Sequence, residues 1–119
     1  MKQVLWISRH EMTAEQRADL ERAMEAPVAL LPWRDTVTDV WELLPALRDA
    51  DAVAAVLPPE LLGALLRIAG EKPVLLSQSA RIPTGRTRAS PEGGQEPEFA
   101  FVHTGWRRLV RLEIETMPL

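Results

Sequence analysis

Short runs of consecutive apolar residues alternate with segments of helical periodicity along the first two thirds of the chain. The apolar runs predict four strands, Gln3–Ser8, Val28–Leu31, Ala52–Leu57 and Pro73–Ser77. Each run is continuous rather than alternating, which is typical of strands that are covered on both faces of a sheet. The segments between the runs predict helices within Thr13–Glu25, Thr38–Asp49 and Pro59–Ala69. This repeated strand–helix–strand order predicts a parallel sheet with right-handed crossovers.

The predicted helices carry boundary signals in the sequence. Thr13 and Gln16 have the spacing of a capping box, with Thr13 as the N-cap. Pro45 is expected to kink or divide the second helix, because proline lacks the backbone donor of a helix interior. Pro59 suits the first position of the third helix, and Gly70 suits its left-handed C-terminal position.

The last third of the chain has a different character. Residues Arg81–Glu98 are rich in proline and glycine, and they predict a long loop, which in a compact domain is usually functional or disordered. Phe99–Thr104 and Leu109–Glu115 predict an antiparallel hairpin that turns near Gly105. We therefore predict one Rossmann-like α/β domain over residues 1–119, with four parallel strands, flanking helices and a C-terminal antiparallel β-hairpin.

Composition narrows the chemistry. The chain has 119 residues, 46% of them hydrophobic and 26% charged, which is typical of one globular domain. The absence of cysteine excludes disulfides, thiolate nucleophiles and cysteine-ligated metals, and two histidines are too few for a histidine-rich metal site, so we expect no metal and no cofactor. No apolar run reaches the roughly 20 residues that span a bilayer, and the N-terminus predicts a strand rather than a signal peptide. We expect a cytoplasmic protein without a membrane partner.

Arginine makes up most of the basic residues of the chain. The net charge is −3, so we expect no broad basic surface and no duplex nucleic acid as partner. Of the 14 basic residues only Lys2 and Lys72 are lysines. Arginine is the residue of bidentate phosphate recognition, although a high-GC coding bias produces the same imbalance. The positions of the arginines therefore matter more than their number.

Polar residues follow the predicted strands at the edge where open α/β sheets bind ligands. The candidates after the first, second and fourth strands are Ser8, Arg9 and His10, then Arg34, then Ser77, Gln78, Ser79, Arg81, Thr84 and Arg86. Many acidic residues fall on the predicted helices, so this edge is locally basic and suits an anionic ligand. A strand order of 3-2-1-4 places His10 beside Ser77–Ser79, whereas the alternative 2-1-3-4 moves the crevice toward the apolar end of the third strand.

Several familiar sites lack their residues. The glycine patterns of dinucleotide and P-loop binding are absent, as is the nucleophile elbow of α/β-hydrolases. Acidic residues do not cluster at strand ends in the way that a two-metal nuclease requires. The pair Arg9-His10 resembles the start of the histidine phosphatases, but Glu11 stands where those proteins have glycine and their domain is far longer.

Two segments near the N-terminus carry a more specific resemblance. The segment Val4-Leu5-Trp6-Ile7-Ser8-Arg9-His10, followed by Met12-Thr13-Ala14-Glu15-Gln16, resembles the opening of small CRISPR-associated proteins of the CARF-like ring nuclease type. The resemblance implies a homodimer that binds cyclic oligoadenylate, with cyclic tetra-adenylate as the first candidate, and linearises it without a metal. It implies catalytic roles for Ser8, Arg9 and His10, and ligand contacts by Ser77, Gln78 and Ser79.

Other interpretations stay open. A non-catalytic nucleotide-sensing module could use the same basic edge, and a phosphatase or a protein-interaction module are further alternatives. His103 is expected to be a half-exposed residue without a role, and Trp6 and Trp41 to belong to the core. Trp33 and Trp106 lie near element ends, where they could stack on a base.

Overall fold

The computed structural model describes the whole chain as an α/β fold with a five-stranded sheet, which confirms the predicted class. In chain order the elements are β1 (Lys2–Ile7), α1 (Ala14–Met24), β2 (Val28–Trp33), a 3-10 turn (Val40–Leu43), α2 (Leu44–Asp49), β3 (Ala52–Ala55), α3 (Pro59–Ala69), β4 (Val74–Ala89) and β5 (Gln95–Arg108).

The strand order decides where a ligand can enter the sheet. It is β2-β1-β3-β4-β5, so the order 3-2-1-4 is wrong and the alternative 2-1-3-4 is correct. β1 pairs in parallel with both β2 and β3, β3 pairs in parallel with β4, and β4 pairs antiparallel with β5. The chain leaves β1 toward one side of the sheet and later crosses to the other. The crevice at this change of direction therefore lies between β1 and β3.

Two apolar clusters cover the two faces of the sheet. Leu5 and Ile7 of β1 pack with Leu43, Leu47 and Leu65 on the face that α2 and α3 cover. The alternate residues of β1, Val4 and Trp6, pack with Leu20 of α1 on the other face. Because neighbouring side chains on a strand point to opposite faces, the continuous apolar run of β1 matches a strand that is buried on both sides.

The helix boundaries follow the local signals. Thr13 caps α1 through a complete capping box: its hydroxyl accepts from the Gln16 N–H at 3.1 Å, and its own N–H donates to Gln16 Oε1 at 2.9 Å. Proline divides the second helical segment, because a 3-10 turn precedes α2 and Pro45 lies in the first turn of α2. Trp41 on that 3-10 turn is 63% exposed, so its assignment to the core is wrong.

The predicted antiparallel C-terminal hairpin is confirmed, but different residues form its two strands. The residues predicted as a loop, Arg81–Glu98, lie mostly within β4 and β5, and the turn falls at residues 90–94. The glycines at positions 93 and 94 have φ of 92° and 83°, the left-handed region that suits glycine in tight turns. The predicted turn at Gly105 lies inside β5, and residues 109–119 form no strand.

The prolines do not interrupt this hairpin. In its outer part each strand pairs only with the other strand, so one edge of each strand is free. Pro83 pairs with Phe99 and Pro97 pairs with Thr87, on either side of a register shift in the ladder. Proline is tolerated in edge strands and at bulges, where the missing N–H leaves no ladder bond open. We call the outer part, residues 79–89 and 95–103, the arm.

Candidate functional site

A cavity of about 220 Å³ lies at the carboxyl edge of the sheet between β1 and β3, at the change of chain direction. We call it the crevice. Residues that follow three strands line it, together with one residue of α3: Ile7, Ser8, Arg9, Asp35, Thr36, Val37, Val56, Leu57, Pro58 and Leu61. Its floor is apolar and its polar groups come from the segments after β1 and β2. Such a mixed pocket at this position is the usual ligand site of open α/β sheets.

Ser8 and Arg9 supply the polar chemistry of the crevice. The Arg9 guanidinium donates to the Thr36 hydroxyl at 2.7 Å and forms no ion pair with a carboxylate. Ser8 is buried, its N–H donates to the Trp33 carbonyl at 3.1 Å, and its hydroxyl oxygen accepts from the His10 N–H at 3.1 Å. The crevice therefore holds a guanidinium with donor capacity left for an anion.

His10 and Arg34 lie outside the crevice lining. The His10 backbone is held from both sides, since its carbonyl accepts from the Trp6 indole at 2.9 Å, while its imidazole is exposed and forms no hydrogen bond. Arg34 forms an ion pair with Glu11 at 3.2 Å on the surface. The structure thus joins Ser8 and Arg9 in one cavity and places His10 beside it.

The candidates after the fourth strand lie in β4 itself. The strand registers place Ser77–Ser79 at the same sheet edge as the end of β1, but β3 separates the two strands. The Gln78 side chain accepts from Arg107 at 2.6 Å. Arg81, Thr84 and Arg86 lie on the exposed arm, where the Arg81 guanidinium carbon is 3.8 Å from the centre of the Phe99 ring. The candidates therefore form two groups, one at the crevice and one along the arm.

A half-buried polar cluster joins α1 to the hairpin, and the sequence pattern does not predict it. The His103 side chain is only 10% exposed, so the expectation that it is half-exposed is wrong. Its Nδ1 lies 3.0 Å from the Ser77 hydroxyl, and its Nε2 lies 2.9 Å from the Asp19 carboxylate. The Gln16 amide donates to the same Ser77 hydroxyl at 3.1 Å. We call Gln16, Asp19, Ser77 and His103 the polar cluster.

A bulge in β5 makes this cluster possible. Gln78 pairs with Gly105 and Ser79 pairs with His103, so the ladder gains one residue at Thr104. The extra residue turns His103 and Trp106 toward the same face, although they are three positions apart, a spacing that puts residues of a regular strand on opposite faces. Trp106 donates its indole N–H to the Gln16 carbonyl at 2.9 Å on that face. The only local signal was Gly105, because glycine within a strand often marks a bulge.

Hydrogen bonds and charge hold Asp19 in its ionised form. The bond from His103 and the bonds from Arg22 keep the pKa of the Asp19 carboxyl below its usual value of 3.8. Each carboxylate oxygen has its own partner, Oδ1 toward Arg22 and Oδ2 toward His103.

A second cavity of about 530 Å³ opens beside the polar cluster on the face that α1 covers. The first turn of α1 and the inner part of the arm line it: Thr13, Ala14, Glu15, Gln16, Ser79, Phe101 and His103. It contains two members of the polar cluster. We call it the α1 cavity.

The two tryptophans that were considered for base stacking are packed into the protein. Trp33 packs against the core on the face of α2 and α3, and its indole N–H is buried without a partner. Trp106 meets Trp6 edge to face, with ring centres 6.1 Å apart.

Comparison with known proteins finds no match for this chain among protein-family models, curated proteins or solved structures. The resemblance to ring nucleases therefore stays a prediction. No helix combines the length and the apolar character that a membrane crossing requires. The chain contains no cluster of three or more histidine, aspartate or glutamate side chains placed to hold a metal ion.

Proposed function

We propose that this chain binds a cyclic oligoadenylate, with cyclic tetra-adenylate as the first candidate, and linearises it by phosphodiester cleavage without a metal. The observation that carries the proposal is Arg9 in the crevice, where a guanidinium without a carboxylate partner lies beside the buried Ser8. Within this proposal the sheet is Rossmann-like, of the CARF-like kind with four parallel strands, because the crevice lies at its change of chain direction.

Three of the four arginines predicted at the site have no carboxylate partner. Glutamates neutralise Arg34, Arg88 and Arg111 through ion pairs. Arg9, Arg81 and Arg86 form no ion pair, and all three are exposed at the crevice or along the arm. An arginine free of carboxylates binds phosphoryl oxygens through charge-assisted, often bidentate hydrogen bonds. In the proposal Arg9 binds the scissile phosphate. The other predicted ligand contacts hold the rest of the ring: Arg34, Ser77, Gln78, Ser79, Arg81, Thr84 and Arg86.

The proposed reaction uses the 2′-hydroxyl of the ligand as nucleophile. The 2′-oxygen forms a bond to the adjacent phosphorus while the bond from phosphorus to the 5′-oxygen breaks, which leaves a 2′,3′-cyclic phosphate and a 5′-hydroxyl. One proton leaves the 2′-oxygen and one reaches the 5′-oxygen. Arg9 and the Ser8 hydroxyl stabilise the charge on phosphorus, and the exposed imidazole of His10 transfers a proton.

A homodimer belongs to the same proposal. A crevice of about 220 Å³ holds only part of a ring of four nucleotides. Two crevices related by a two-fold axis match a ligand of the same symmetry, and each subunit then supplies one copy of Ser8, Arg9 and His10.

The decisive experiment measures binding and cleavage of cyclic tetra-adenylate and cyclic hexa-adenylate in the presence of a chelator. We expect Arg9→Ala to weaken binding about ten- to a hundredfold, the usual cost of losing a charge-assisted contact. Arg67→Ala is the matched control, because Arg67 is exposed in the last turn of α3 and forms no ion pair. If the wild-type protein binds neither ring, the proposed function is wrong.

A non-catalytic nucleotide-sensing module is the second candidate. The observation that favours it is the composition of the crevice, whose lining contains Arg9 and Asp35 but no histidine. In this alternative the ligand is held by a lining without an imidazole, and binding without turnover is the expected behaviour. Recovery of intact cyclic tetra-adenylate from a tight complex after prolonged incubation would favour this module over the nuclease.

A further inference from the structure

We propose that Ser77, His103 and Asp19 form a second catalytic site, in which a histidine–aspartate pair activates the serine as a nucleophile toward small carboxylic esters. The proposal rests on the polar cluster and the α1 cavity, and it uses no residue that lines the crevice. The three side chains come from α1, β4 and β5, so regular elements of the fold hold each of them in place.

The hydrogen bonds are all satisfied when the His103 ring is neutral and carries its proton on Nε2. Asp19 is held ionised, so it accepts from His103 and the proton of the imidazole is on Nε2. Nδ1 is then an acceptor, and the Ser77 hydroxyl donates to it across 3.0 Å. Gln16 is consistent with this assignment of protons, because its Oε1 accepts from the Thr13 N–H and its Nε2 donates to the Ser77 oxygen.

This is the protonation pattern of an activated serine. The neutral imidazole accepts the hydroxyl proton when Ser77 attacks, and the ionised Asp19 stabilises the imidazolium that results. The two ring nitrogens are exchanged relative to the serine protease triad, since Nδ1 faces the serine here. Their roles depend on which nitrogen holds the proton, and Asp19 determines that in both arrangements.

The α1 cavity gives this site room and donors, and it is lined by Gln16 and His103, the two hydrogen-bond partners of Ser77. The first four N–H groups of a helix have no acceptor within the helix. The capping box uses those of Thr13 and Gln16, which leaves Ala14 and Glu15, and both residues line the cavity. Their amides are donors suited to an oxyanion. Phe101 and Ala14 form the apolar part of the lining, which suits a short acyl group.

The proposed reaction proceeds in two balanced steps. The Ser77 oxygen bonds to the ester carbonyl carbon while its proton moves to His103 Nδ1, and the bond from carbon to the alcohol oxygen then breaks as that oxygen takes the proton. Water next attacks the acyl-serine, its proton passes through Nδ1, and the carboxylic acid leaves with Ser77 restored.

The test uses a small alkyl fluorophosphonate as the probe, with intact mass and peptide mapping as the readout. Ser77 attacks phosphorus, fluoride leaves, and the protein gains the mass of the phosphonyl group. We expect a single label on Ser77 and none in Ser77→Ala. Ser90→Ala is the control, because Ser90 lies in the turn between β4 and β5 and lines neither cavity, and it should label like wild type.

Two further variants test whether His103 and Asp19 activate Ser77 or only hold the structure together. His103→Gln should label at least about a hundredfold more slowly, since a general base of this kind contributes that much. Asp19→Asn should slow labelling strongly too, because the ring loses its fixed proton. Hydrolysis of p-nitrophenyl acetate should follow the same order. An unlabelled wild type, a label on another residue, or equal labelling rates in wild type and a folded His103→Gln protein would overturn the proposal.

Discussion

The two histidines have different surroundings, and their substitution separates the two proposals. His10 has an exposed ring on a fixed backbone beside the crevice, whereas the ring of His103 is enclosed by Ser77 and Asp19. We predict that His10→Ala slows cleavage of cyclic tetra-adenylate by about a hundredfold and leaves its affinity nearly unchanged. Single-turnover cleavage and equilibrium binding measure the two quantities.

His103→Gln is the control for this prediction. It should leave cleavage of cyclic tetra-adenylate unchanged, because His103 lines the α1 cavity and not the crevice. If His10→Ala cuts as fast as wild type, proton transfer by His10 is wrong, and solvent then moves the protons. If His103→Gln abolishes cutting instead, the reacting phosphate lies at the polar cluster.

Asp19 links the polar cluster to the stability of the fold. Its pKa is lower in the folded chain than its usual value of 3.8, chiefly because of the bond from His103 and then those from Arg22. A carboxylate of this kind stabilises the folded state above its unfolded pKa, and the contribution is lost as the pH falls through the folded pKa. We predict that Asp19→Asn lowers the free energy of unfolding near neutral pH, and that its difference from wild type shrinks below about pH 4.

Denaturant unfolding at pH 7 and pH 3 measures this effect. Asp49→Asn is the control, because Asp49 is exposed and makes no side-chain hydrogen bond. A difference between Asp19→Asn and wild type that is equally large at both pH values would show that shape, rather than ionisation, stabilises the cluster.

At the scale of elements, the capping box is the clearest link between sequence and stability. Thr13 satisfies an N–H at the start of α1, and its partner Gln16 continues the hydrogen bonds to Ser77. We predict that Thr13→Ala lowers the free energy of unfolding by about 1–2 kcal/mol, the upper half of the range for a lost N-cap. Thr104→Ala in β5 is the control, because Thr104 is exposed without a side-chain hydrogen bond. Equal midpoints in urea for the two variants would contradict the prediction.

The elements that the sequence predicts well are those with local signals. Apolar runs place the starts of the parallel strands, and Thr13, Pro45 and Pro59 mark helix boundaries within one turn of chain. The arm has no such local signal, because the backbone hydrogen bonds that define its two strands form only when the strands pair with each other. Its prolines and glycines have the composition of a loop, and only the register shows that they lie at a bulge and a turn.

The residues of the candidate site also differ in whether the sequence predicts them. The general rule for ligand sites in α/β sheets identifies Ser8 and Arg9 without any motif, since it needs only the end of β1. The polar cluster requires Asp19, Ser77 and His103 to meet from three distant segments, and His103 reaches them only because of the bulge at Thr104. Sequence periodicity has no means of predicting that change of face.

The whole molecule is more extended than a compact domain of its length. The radius of gyration is 17.1 Å, whereas a compact domain of this length has about 13.5 Å. The accessible surface is 8519 Å², about 2,000 Å² more than the roughly 6,500 Å² of a compact monomer of this mass. The arm and the extended residues 109–119 both contribute to this exposed area, and the arm exposes Ile82, Phe101 and Val102. An isolated two-stranded ribbon is marginally stable in water, so the arm needs a surface to pack on.

We predict that the surface is a second copy of this chain, paired through the arms. The excess area exceeds the roughly 800 Å² per partner that a standard interface buries. Phe101, which is 76% exposed, is the most exposed large apolar side chain on the arm and the best candidate anchor. A two-fold interface contains both copies, so Phe101→Asp removes two anchors at once. If each is worth about 2 kcal/mol, the dissociation constant rises about a thousandfold.

Sedimentation equilibrium near micromolar concentration measures this change, with wild type a dimer and Phe101→Asp a monomer. Trp41→Asp is the matched control, because Trp41 is a comparably exposed aromatic residue outside the arm, and this variant should stay dimeric. A monomeric wild type would contradict both the arm interface and the proposal of a two-fold ligand site. A Phe101→Asp protein that stays dimeric while Trp41→Asp dissociates would place the interface on the face of α2. The arm would then be free to pack against the ligand instead of the partner.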